Sequence, residues 1–365
     1  MSRRIVVVGA VAAGTKAAVK ARRDDPRASI TVLTEESDVS YAGCGLPYYV
    51  GGVIGKRSHL VVRSAASFRD SDRIEVITRH RVETIDRRGK KVVATDLDSG
   101  ARAEFQYDVL VLATGASAIV PDVPGVSLEG VFKLRSVADA DSLASFMESR
   151  KPSRAVVVGG GFIGLESAEN LKAKGLDVAV VEMLDDFPPG FDPDMSRCIR
   201  NCVEESGVKV YAGERVLAIE DDGFGRAGRV RTTARSLDAG LVLLSVGVRP
   251  NTRLAAEAGL ALGERGALLV DEYMRTTDPC IYAAGDCVCT THRVSGKPAW
   301  YPMGSTANKM GRIAGIEAAG TASGSQSFPG VLGTAVFKVF ETSCARTGLT
   351  EAEAEREGFD PITAT

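Results

Sequence analysis

Short apolar runs that end at glycine recur along this chain, and two of them open the same pattern. Residues 4–8 form an apolar, largely β-branched run that ends at Gly9, and Gly14 opens a helical stretch through about Arg23. Residues 30–33 form the next apolar run. A strand, a glycine turn, a helix and a second strand in this order predict a βαβ unit of the nucleotide-binding type.

The same pattern returns 150 positions later, with a more complete glycine turn at Gly159. Residues 155–158 predict a strand, Gly159, Gly161 and Gly164 fit the spacing GxGxxG, and a helix follows. In the first turn Val11 stands where the middle glycine would be. Two such units predict that the chain binds two dinucleotides.

An acidic residue after the second strand of each unit is expected to hold the ribose hydroxyls of its dinucleotide. Glu182 lies 23 residues after Gly159, close to the spacing of about 20 that is typical of this ligand. In the first unit the candidate is Glu35, between Thr34 and Glu36.

Three further apolar runs also end in turn residues. One run ends at Thr114 and Gly115, another at Gly247, and the third, residues 281–284, at Gly285 and Asp286. Asp286 is a candidate for binding a sugar-like hydroxyl, with an ordinary turn aspartate as the alternative.

Residues 302–318 predict a helix with glycines at 304, 311 and 315. Its small residues predict close packing against something flat, and its N-terminus would attract an electron-rich or anionic group.

Length and composition indicate a globular protein of two or three domains. The chain has 365 residues, 44% apolar and 25% charged, and a net charge of −2 gives no reason to expect nucleic acid or an anionic membrane as a partner. Its seven cysteines are scattered in a chain too large to need disulfide staples, which fits a reducing cytoplasm. We expect no targeting segment and no membrane span.

Cys44 lies between two glycines, ahead of Pro47 and the tyrosines at 48 and 49. A thiol attacks as its thiolate, which the N–H groups of a helix N-terminus stabilise. If a helix starts near Cys44, Pro47 falls in its first turn, where a missing N–H costs nothing. Cys44 is therefore predicted to be a redox thiol beside a cofactor and the fastest to react, with a small buried residue as the alternative.

The other cysteines are interpreted as structural. Cys198 and Cys202 share a helix face at i, i+4, but no Cys or His nearby completes a tetrahedral metal site, so no metal is expected. Cys287 and Cys289, directly after Asp286, are expected to pack near the cofactor.

With these motifs in order, the chain resembles the flavin-dependent pyridine nucleotide–disulfide oxidoreductases. It is most similar to their single-cysteine branch, which contains coenzyme A disulfide reductases, NADH oxidases and NADH peroxidases. The resemblance covers roughly residues 4–360 and implies an α/β fold with two Rossmann-like domains. It implies FAD on the first unit and NADH, with NADPH as the alternative, on the second.

The resemblance also implies roles for individual residues. Phe162 matches the aromatic residue that gates the nicotinamide face of the flavin, and Glu166 matches the carboxylate beside it; together with Cys44 they are the expected catalytic residues. The cofactor-binding residues implied are Gly9, Ala12, Gly14, Glu35, Thr114, Gly115, Gly159, Gly161, Gly164, Glu182, Gly247, Gly285, Asp286 and Ala307. Relatives often have asparagine where Gly43 stands, and Thr34 occupies the usual position of the ribose glutamate if no gap is allowed.

The branch follows from two positions. Two-cysteine relatives have their second cysteine four or five residues after the first, where this chain has Tyr48 and Tyr49. Oxidases and peroxidases have a histidine in the first glycine turn, where this chain has Ala12. The resemblance is therefore closest to coenzyme A disulfide reductase, with Lys20, Arg23 and Ser40 as substrate-binding residues; by charge pattern alone the basic residues form a solvated face.

The expected reaction is reduction of coenzyme A disulfide, or of a similar small disulfide, by NAD(P)H through FAD and Cys44. The alternatives are an NADH oxidase, a persulfide or polysulfide reductase, and a flavin-binding fragment without catalysis. We expect the FAD domain in residues 1–150 and 271–328, the NAD(P)H domain in 151–270, and the start of a truncated dimerisation domain in 329–365. Full-length family members are expected to form homodimers.

Overall fold

The computed structural model describes residues 2–320 and 326–364. Its helices are α1 Ala12–Asp24, α2 Leu46–Val50, α3 Ala65–Asp72, α4 Val137–Arg150, α5 Phe162–Ala173, α6 Pro193–Glu205, α7 Arg253–Glu257, α8 Gly304–Ala319 and α9 Glu351–Glu357. Its strands are β1 Arg4–Val8, β2 Ser29–Leu33, β3 Glu75–Ile77, β4 His80–Asp86, β5 Lys91–Asp96, β6 Arg102–Gln106, β7 Val109–Leu112, β8 Ala116–Ala118, β9 Val131–Lys133, β10 Arg154–Val158, β11 Asp177–Val181, β12 Lys209–Tyr211, β13 Val216–Asp221, β14 Ala227–Thr232, β15 Ser236–Asp238, β16 Leu241–Leu244, β17 Val248–Pro250, β18 Leu268–Leu269, β19 Ile281–Ala283, β20 Val288–Thr291, β21 Pro298–Ala299, β22 Ala335–Val339 and β23 Thr342–Arg346.

The chain divides into two compact units, each made of three segments. Unit 1 comprises Met1–Tyr41, Val61–Ser117 and Arg249–Leu332, and unit 2 comprises Ala42–Leu60, Ala118–Val248 and Gly333–Thr365. Residues 1, 321–325 and 365 of the predicted domains lie outside the described part of the chain. The domain boundaries expected at 150, 270 and 328 stay a prediction.

Unit 1 is built on a parallel sheet with the strand order β19-β7-β1-β2-β3. All four residues of β7 are buried, and β1 is buried from Ile5 to Val8, as expected for strands covered on both faces. A separate antiparallel sheet, β4-β5-β6, belongs to the same unit.

Small residues let α8 lie unusually close to α1 in unit 1. A Cβ atom at Gly311 would lie 2.3 Å from the carbonyl oxygen of Ala13, and one at Gly315 would lie 2.5 Å from that of Ala17. The predicted close packing of this helix is therefore confirmed. Gly311 and Gly315 face α1, whose own alanines leave room for the approach, and the flat partner expected for this helix stays a prediction.

Unit 2 repeats the parallel arrangement with the strand order β12-β11-β10-β16-β9. An antiparallel sheet, β13-β14-β15, and the hairpin β22–β23 complete its strands. The hairpin buries alternate residues of β22, namely Ala335, Phe337 and Val339. Such alternation is typical of a strand with one face against a core.

None of the described helices combines the length and apolar character that crossing a membrane would require.

Candidate active site

The first glycine turn joins β1 to α1 in unit 1. Gly9 has φ +107°, and a Cβ atom there would lie 2.1 Å from the carbonyl oxygen of Ala113, so only glycine fits. A Cβ atom on Gly14 would lie 1.9 Å from the carbonyl oxygen of Gly9, which holds α1 directly against the turn. Helix α1 begins at Ala12, and no side chain caps its N-terminal N–H groups.

The second glycine turn, in unit 2, has the same geometry. Gly159 has φ +108°, and its Cβ atom would lie 2.3 Å from the carbonyl oxygen of Ser245. Gly164 approaches the carbonyl oxygen of Gly159 in the same way, at 2.1 Å. At Gly161, by contrast, a Cβ atom would meet no described atom within 4 Å. The open side of this turn and the uncapped N-terminus of α5 fit the pyrophosphate of a dinucleotide.

Glu182 lies against this second turn. It follows β11 directly and is buried, and its carboxylate accepts hydrogen bonds from the N–H groups of Gly160 at 2.7 Å and Leu184 at 2.9 Å. The predicted acidic residue is therefore held within hydrogen-bonding range of the turn backbone.

In unit 1, Thr34 is the structural equivalent of Glu182. The N–H of Glu182 donates to Tyr211 on the next strand of its sheet, and the N–H of Thr34 donates to Ile77 on the next strand of its own. Glu35 lies one residue further on, exposed and paired with Arg81 at 2.7 Å. The placement favours Thr34 over Glu35 for the position next to the turn.

Two further predicted segments meet near the N-terminal ends of α1 and α8 in unit 1. Gly285 has φ +91°, and its Cβ atom would lie 2.9 Å from the Cβ of Ala13 and 3.6 Å from that of Ala307. Asp286 follows directly and is half-buried. Helix α8 also has no side-chain cap at its N-terminus. These residues form a narrow cradle that fits a flat cofactor.

Thr114 and Gly115 are tied to Asn251 in the same unit. The Thr114 hydroxyl donates to the Asn251 carbonyl at 2.6 Å, and the Asn251 amide donates to the Thr114 carbonyl at 2.9 Å. Gly247, which belongs to unit 2, has φ +102° and accepts a hydrogen bond from the N–H of Ile119 at 3.0 Å.

Cys44 lies in unit 2, in a 3-10 helix, Gly43–Gly45, that runs directly into α2. Its side chain is exposed, which excludes the alternative of a buried small residue. Pro47 falls in the first turn of α2, as predicted. The helix has only five residues, however, and gives little of the N-terminal field that the sequence argument used.

Among the other six thiols, only Cys198 is as exposed as Cys44. Cys198 is also exposed, whereas burial raises the pKa of the Cys287, Cys289 and Cys344 thiols and keeps them protonated. Cys198 and Cys202 both lie on α6, and no group of three or more metal-binding side chains occurs among the described residues.

Glu166 lies on α5 and accepts a hydrogen bond from the hydroxyl of Tyr48 at 3.3 Å. Burial raises the pKa of the Glu166 carboxyl to about 7, and the nearby charge of Glu169 adds to the rise, although the hydrogen bond from Tyr48 opposes it. Burial is also the main cause that raises the pKa of Tyr48 to about 12. The sequence analysis singled out Glu166 but not this partner.

Phe162, the first residue of α5, belongs to an aromatic cluster that the sequence did not reveal. Its ring stacks on Phe337 of β22, with 4.6 Å between ring centroids and 24° between the planes. Phe191 meets both rings edge-on, at 6.2 and 6.0 Å. The predicted gate is therefore held by side chains from two other parts of unit 2.

The basic residues of α1 form a groove with α8. A cavity of about 250 Å³ is lined by Lys16, Val19, Lys20, Arg23 and Arg312. Lys20 is paired with Asp24 at 2.6 Å, while Arg23 and Arg312 are exposed. Ser40, in the same unit, has φ +50° and donates its N–H to the carbonyl of Ala10 at 2.8 Å.

Comparison with known proteins gives the family. The family model described as pyridine nucleotide-disulphide oxidoreductase matches residues 3–321. Among solved structures, reduced CoADR-RHD from Bacillus anthracis has a TM-score of 0.95 and 34% identity, over 99% of this chain and 64% of that one. An NAD-dependent persulfide reductase from A. fulgidus has a TM-score of 0.93 and 41% identity, over 98% of this chain and 66% of that one.

A relative from Pyrococcus horikoshii, named NAD(P)H coenzyme A polysulfide/persulfide reductase, is 35% identical over 100% of this chain and 80% of its own length. Compared with the two solved structures above, this chain spans slightly less than two thirds of the length of each. The matches confirm the resemblance, the α/β class with Rossmann-like units and the oxidoreductase class that the motifs predicted. The chain belongs to the pyridine nucleotide-disulphide oxidoreductase family.

Proposed function

We propose that the protein is an FAD-dependent NAD(P)H oxidoreductase that reduces coenzyme A disulfide, or a similar small disulfide, through Cys44. The main support is the thiol itself, exposed between two glycines in the unit that contains the Gly159–Gly164 turn. Tyr48 and Tyr49 stand where a second cysteine would allow an internal disulfide, so Cys44 would cycle through a mixed disulfide with a small thiol, a persulfide or a sulfenic acid.

Residues of both units fit the two cofactors. FAD would be held by Gly9, Ala12, Gly14, Thr34 or Glu35, Thr114, Gly115, Gly285, Asp286 and Ala307, and the dinucleotide by Gly159, Gly161, Gly164, Glu182 and Gly247. Once bound, the dinucleotide would supply a hydride and FAD would pass the electrons to the disulfide. Phe162 would cover the nicotinamide position until the dinucleotide binds.

Cys44 would perform the chemistry on sulfur. As thiolate it attacks one sulfur of the substrate disulfide, forms a mixed disulfide and releases the first thiol. Two electrons and a proton then break the mixed disulfide, which releases the second thiol and regenerates the Cys44 thiolate. The exposed position of Cys44 gives a small disulfide access to the sulfur.

The groove between α1 and α8 supports a substrate with phosphate groups. Coenzyme A has a diphosphate and a further phosphate on its ribose, and the cavity is lined by four cations and one apolar residue. Arg23 and Arg312 are exposed donors for these phosphates, and Lys20 adds positive charge although it is paired with Asp24. Ser40 remains a proposed contact for the same substrate.

The cytoplasmic location and the homodimer stay predictions.

A persulfide is the second candidate substrate. The A. fulgidus persulfide reductase is 41% identical to this chain, compared with 34% for the other solved structure described above. A persulfide offers the same S–S bond to Cys44, so the same residues serve either substrate.

Steady-state consumption of NADH by the purified holoprotein separates these candidates. We expect consumption that depends on coenzyme A disulfide, and release of coenzyme A thiol in a ratio of two per NADH. Consumption that depends on a persulfide alone supports the second candidate, and dependence on oxygen alone supports an NADH oxidase. No consumption with any acceptor contradicts an enzymatic role for this chain.

NADH is expected to be preferred over NADPH, by at least about tenfold in kcat/KM. The carboxylate of Glu182, held at the turn, would accept hydrogen bonds from the ribose 2′-hydroxyl and repel a 2′-phosphate. The next two residues, Met183 and Leu184, offer no cation, and Arg200 is paired with Glu204 at 3.0 Å. Glu182→Gln should narrow the preference without changing the FAD content. A kcat/KM ratio in favour of NADPH would overturn the assignment.

A further inference from the structure

Tyr48 follows the reactive thiol by one helical turn, and its hydroxyl is hydrogen-bonded to the Glu166 carboxylate. Cys44 and Tyr48 are four residues apart in backbone that stays helical, since Gly45 and Leu46 both have right-handed helical dihedral angles. The two side chains are near enough for the charge of Cys44 to contribute to the raised pKa of Tyr48. Tyr48 donates its hydroxyl hydrogen to Glu166 at 3.3 Å.

Contacts other than this hydrogen bond also hold α2 in place. A Cβ atom at Gly51 would lie 2.0 Å from the side-chain oxygen of Asn170, so the end of α2 packs tightly on α5. Asn170 is buried and donates to the backbone carbonyl of Glu166 at 2.7 Å. Tyr49 ties α2 to α4 by a hydrogen bond to Asp141 at 3.1 Å. The Tyr48–Glu166 hydrogen bond is therefore not the sole contact that positions α2.

The charges around Glu166 come from three elements of unit 2. Glu169 on α5 is the nearest like charge, and it is paired with Lys338 of β22 at 3.0 Å and accepts the N–H of Phe340 at 2.9 Å. On the other side lie Tyr48 of α2 and, one turn earlier, the Cys44 thiol. Lys338 offsets part of the Glu169 charge, and burial leaves the pKa of Glu166 at about 7. The Glu166 carboxyl therefore keeps its proton to a higher pH than an ordinary glutamate does.

We propose that Glu166, acting through the Tyr48 hydroxyl, supplies the proton to the thiol that leaves Cys44. The proposal rests on the proposed function, which supplies the two electrons from NADH. The S–S bond of the mixed disulfide breaks, Cys44 keeps one electron pair as thiolate, and the departing sulfur takes the other pair and one proton. A tyrosine hydroxyl both donates and accepts, so Tyr48 passes its own proton on while it takes the one from Glu166.

The pH dependence of thiol release tests the proposal in the holoenzyme. In single turnovers from the Cys44–coenzyme A mixed disulfide, we expect the wild-type rate to fall above about pH 7, where Glu166 loses its proton. Glu166→Gln and Tyr48→Phe should both be slower by about 100-fold, the usual scale of general acid catalysis, and should lack this decline. Tyr49→Phe is the matched control, since its hydroxyl bonds to Asp141 instead, and should keep the wild-type profile.

A second readout does not depend on turnover. The rate of Cys44 alkylation against pH should bend near pH 7 in the wild-type protein, because ionisation of Glu166 changes the field at the thiol through Tyr48, and Glu166→Gln should remove the bend. Wild-type pH profiles in both Glu166→Gln and Tyr48→Phe would overturn the proposal. A wild-type protein that reduces no disulfide would overturn the proposed function instead, and the alkylation profile would still decide whether the pair is coupled to Cys44.

Discussion

Replacing Cys44 with serine is expected to lower the rate of NADH-dependent reduction of coenzyme A disulfide by at least about 1,000-fold. A serine hydroxyl is not ionised near neutral pH and does not form the mixed disulfide, so the variant loses the step that links the substrate to the electrons. Reduction of the flavin by NADH should persist, because it needs no sulfur. An anaerobic titration with NADH should show a long-wavelength thiolate-to-flavin absorption band in the wild type and none in Cys44→Ser.

Cys198→Ser is the matched control for this substitution. Cys198 is the other exposed cysteine among the described residues, and it lies on α6. The control should keep the wild-type rate and the absorption band. Intact mass spectrometry should find a reductant-labile coenzyme A adduct on the wild type and on Cys198→Ser, and none on Cys44→Ser. Equal rates in both variants would remove Cys44 from the reaction.

Both glycine turns could be predicted from the sequence because the spacing of their glycines lies within one short segment. Gly9 and Gly14 belong to one short segment, and so do Gly159 and Gly164. The first helix begins at Ala12, two residues before the predicted Gly14, because Gly14 serves the close approach of α1 to the turn and not the helix start. Local sequence patterns therefore predicted both βαβ units and their glycine turns.

The partners of the predicted catalytic residues could not be read in the same way. Tyr48 and Glu166 are 118 positions apart in the chain, and Phe337 follows Phe162 by 175 positions. Neither contact has a sequence signature, because hydrophobic periodicity places a residue on a face of its own element and does not say which element covers that face. The place of Arg312 in the basic groove could not be predicted either, because it depends on the packing of α8 on α1.

For the ribose position in unit 1 the sequence offered two residues, Glu35 and, if no gap is allowed, Thr34. Glu35 was selected as the first acidic residue after the strand, whereas the backbone ladder puts Thr34 at the place of Glu182. A threonine hydroxyl can still bind a ribose, but it adds no negative charge. The register of β2 against β3 supports the ungapped position, Thr34.

Gly311→Val is expected to lower the free energy of unfolding of the protein by about 3 kcal/mol, the upper part of the usual range for overpacking. A Cβ atom there would lie 2.3 Å from the carbonyl oxygen and 2.9 Å from the Cα of Ala13, and backbone atoms cannot rotate away. Helix α1 would have to move from α8. Gly14 lies in the same helix and contacts the Gly9 turn, so the purified variant should also contain less FAD.

Gly304→Ala in the same helix is the control for this prediction. A Cβ atom at Gly304 would meet no described atom within 4 Å, so the loss of helical glycine should leave the thermal stability unchanged or raise it slightly. Because Gly304 lies at the proposed flavin end of α8, this control is compared by thermal unfolding alone. Wild-type stability in Gly311→Val would mean that α1 and α8 can separate without cost, and the close approach of the two helices would then have no part in holding the first glycine turn.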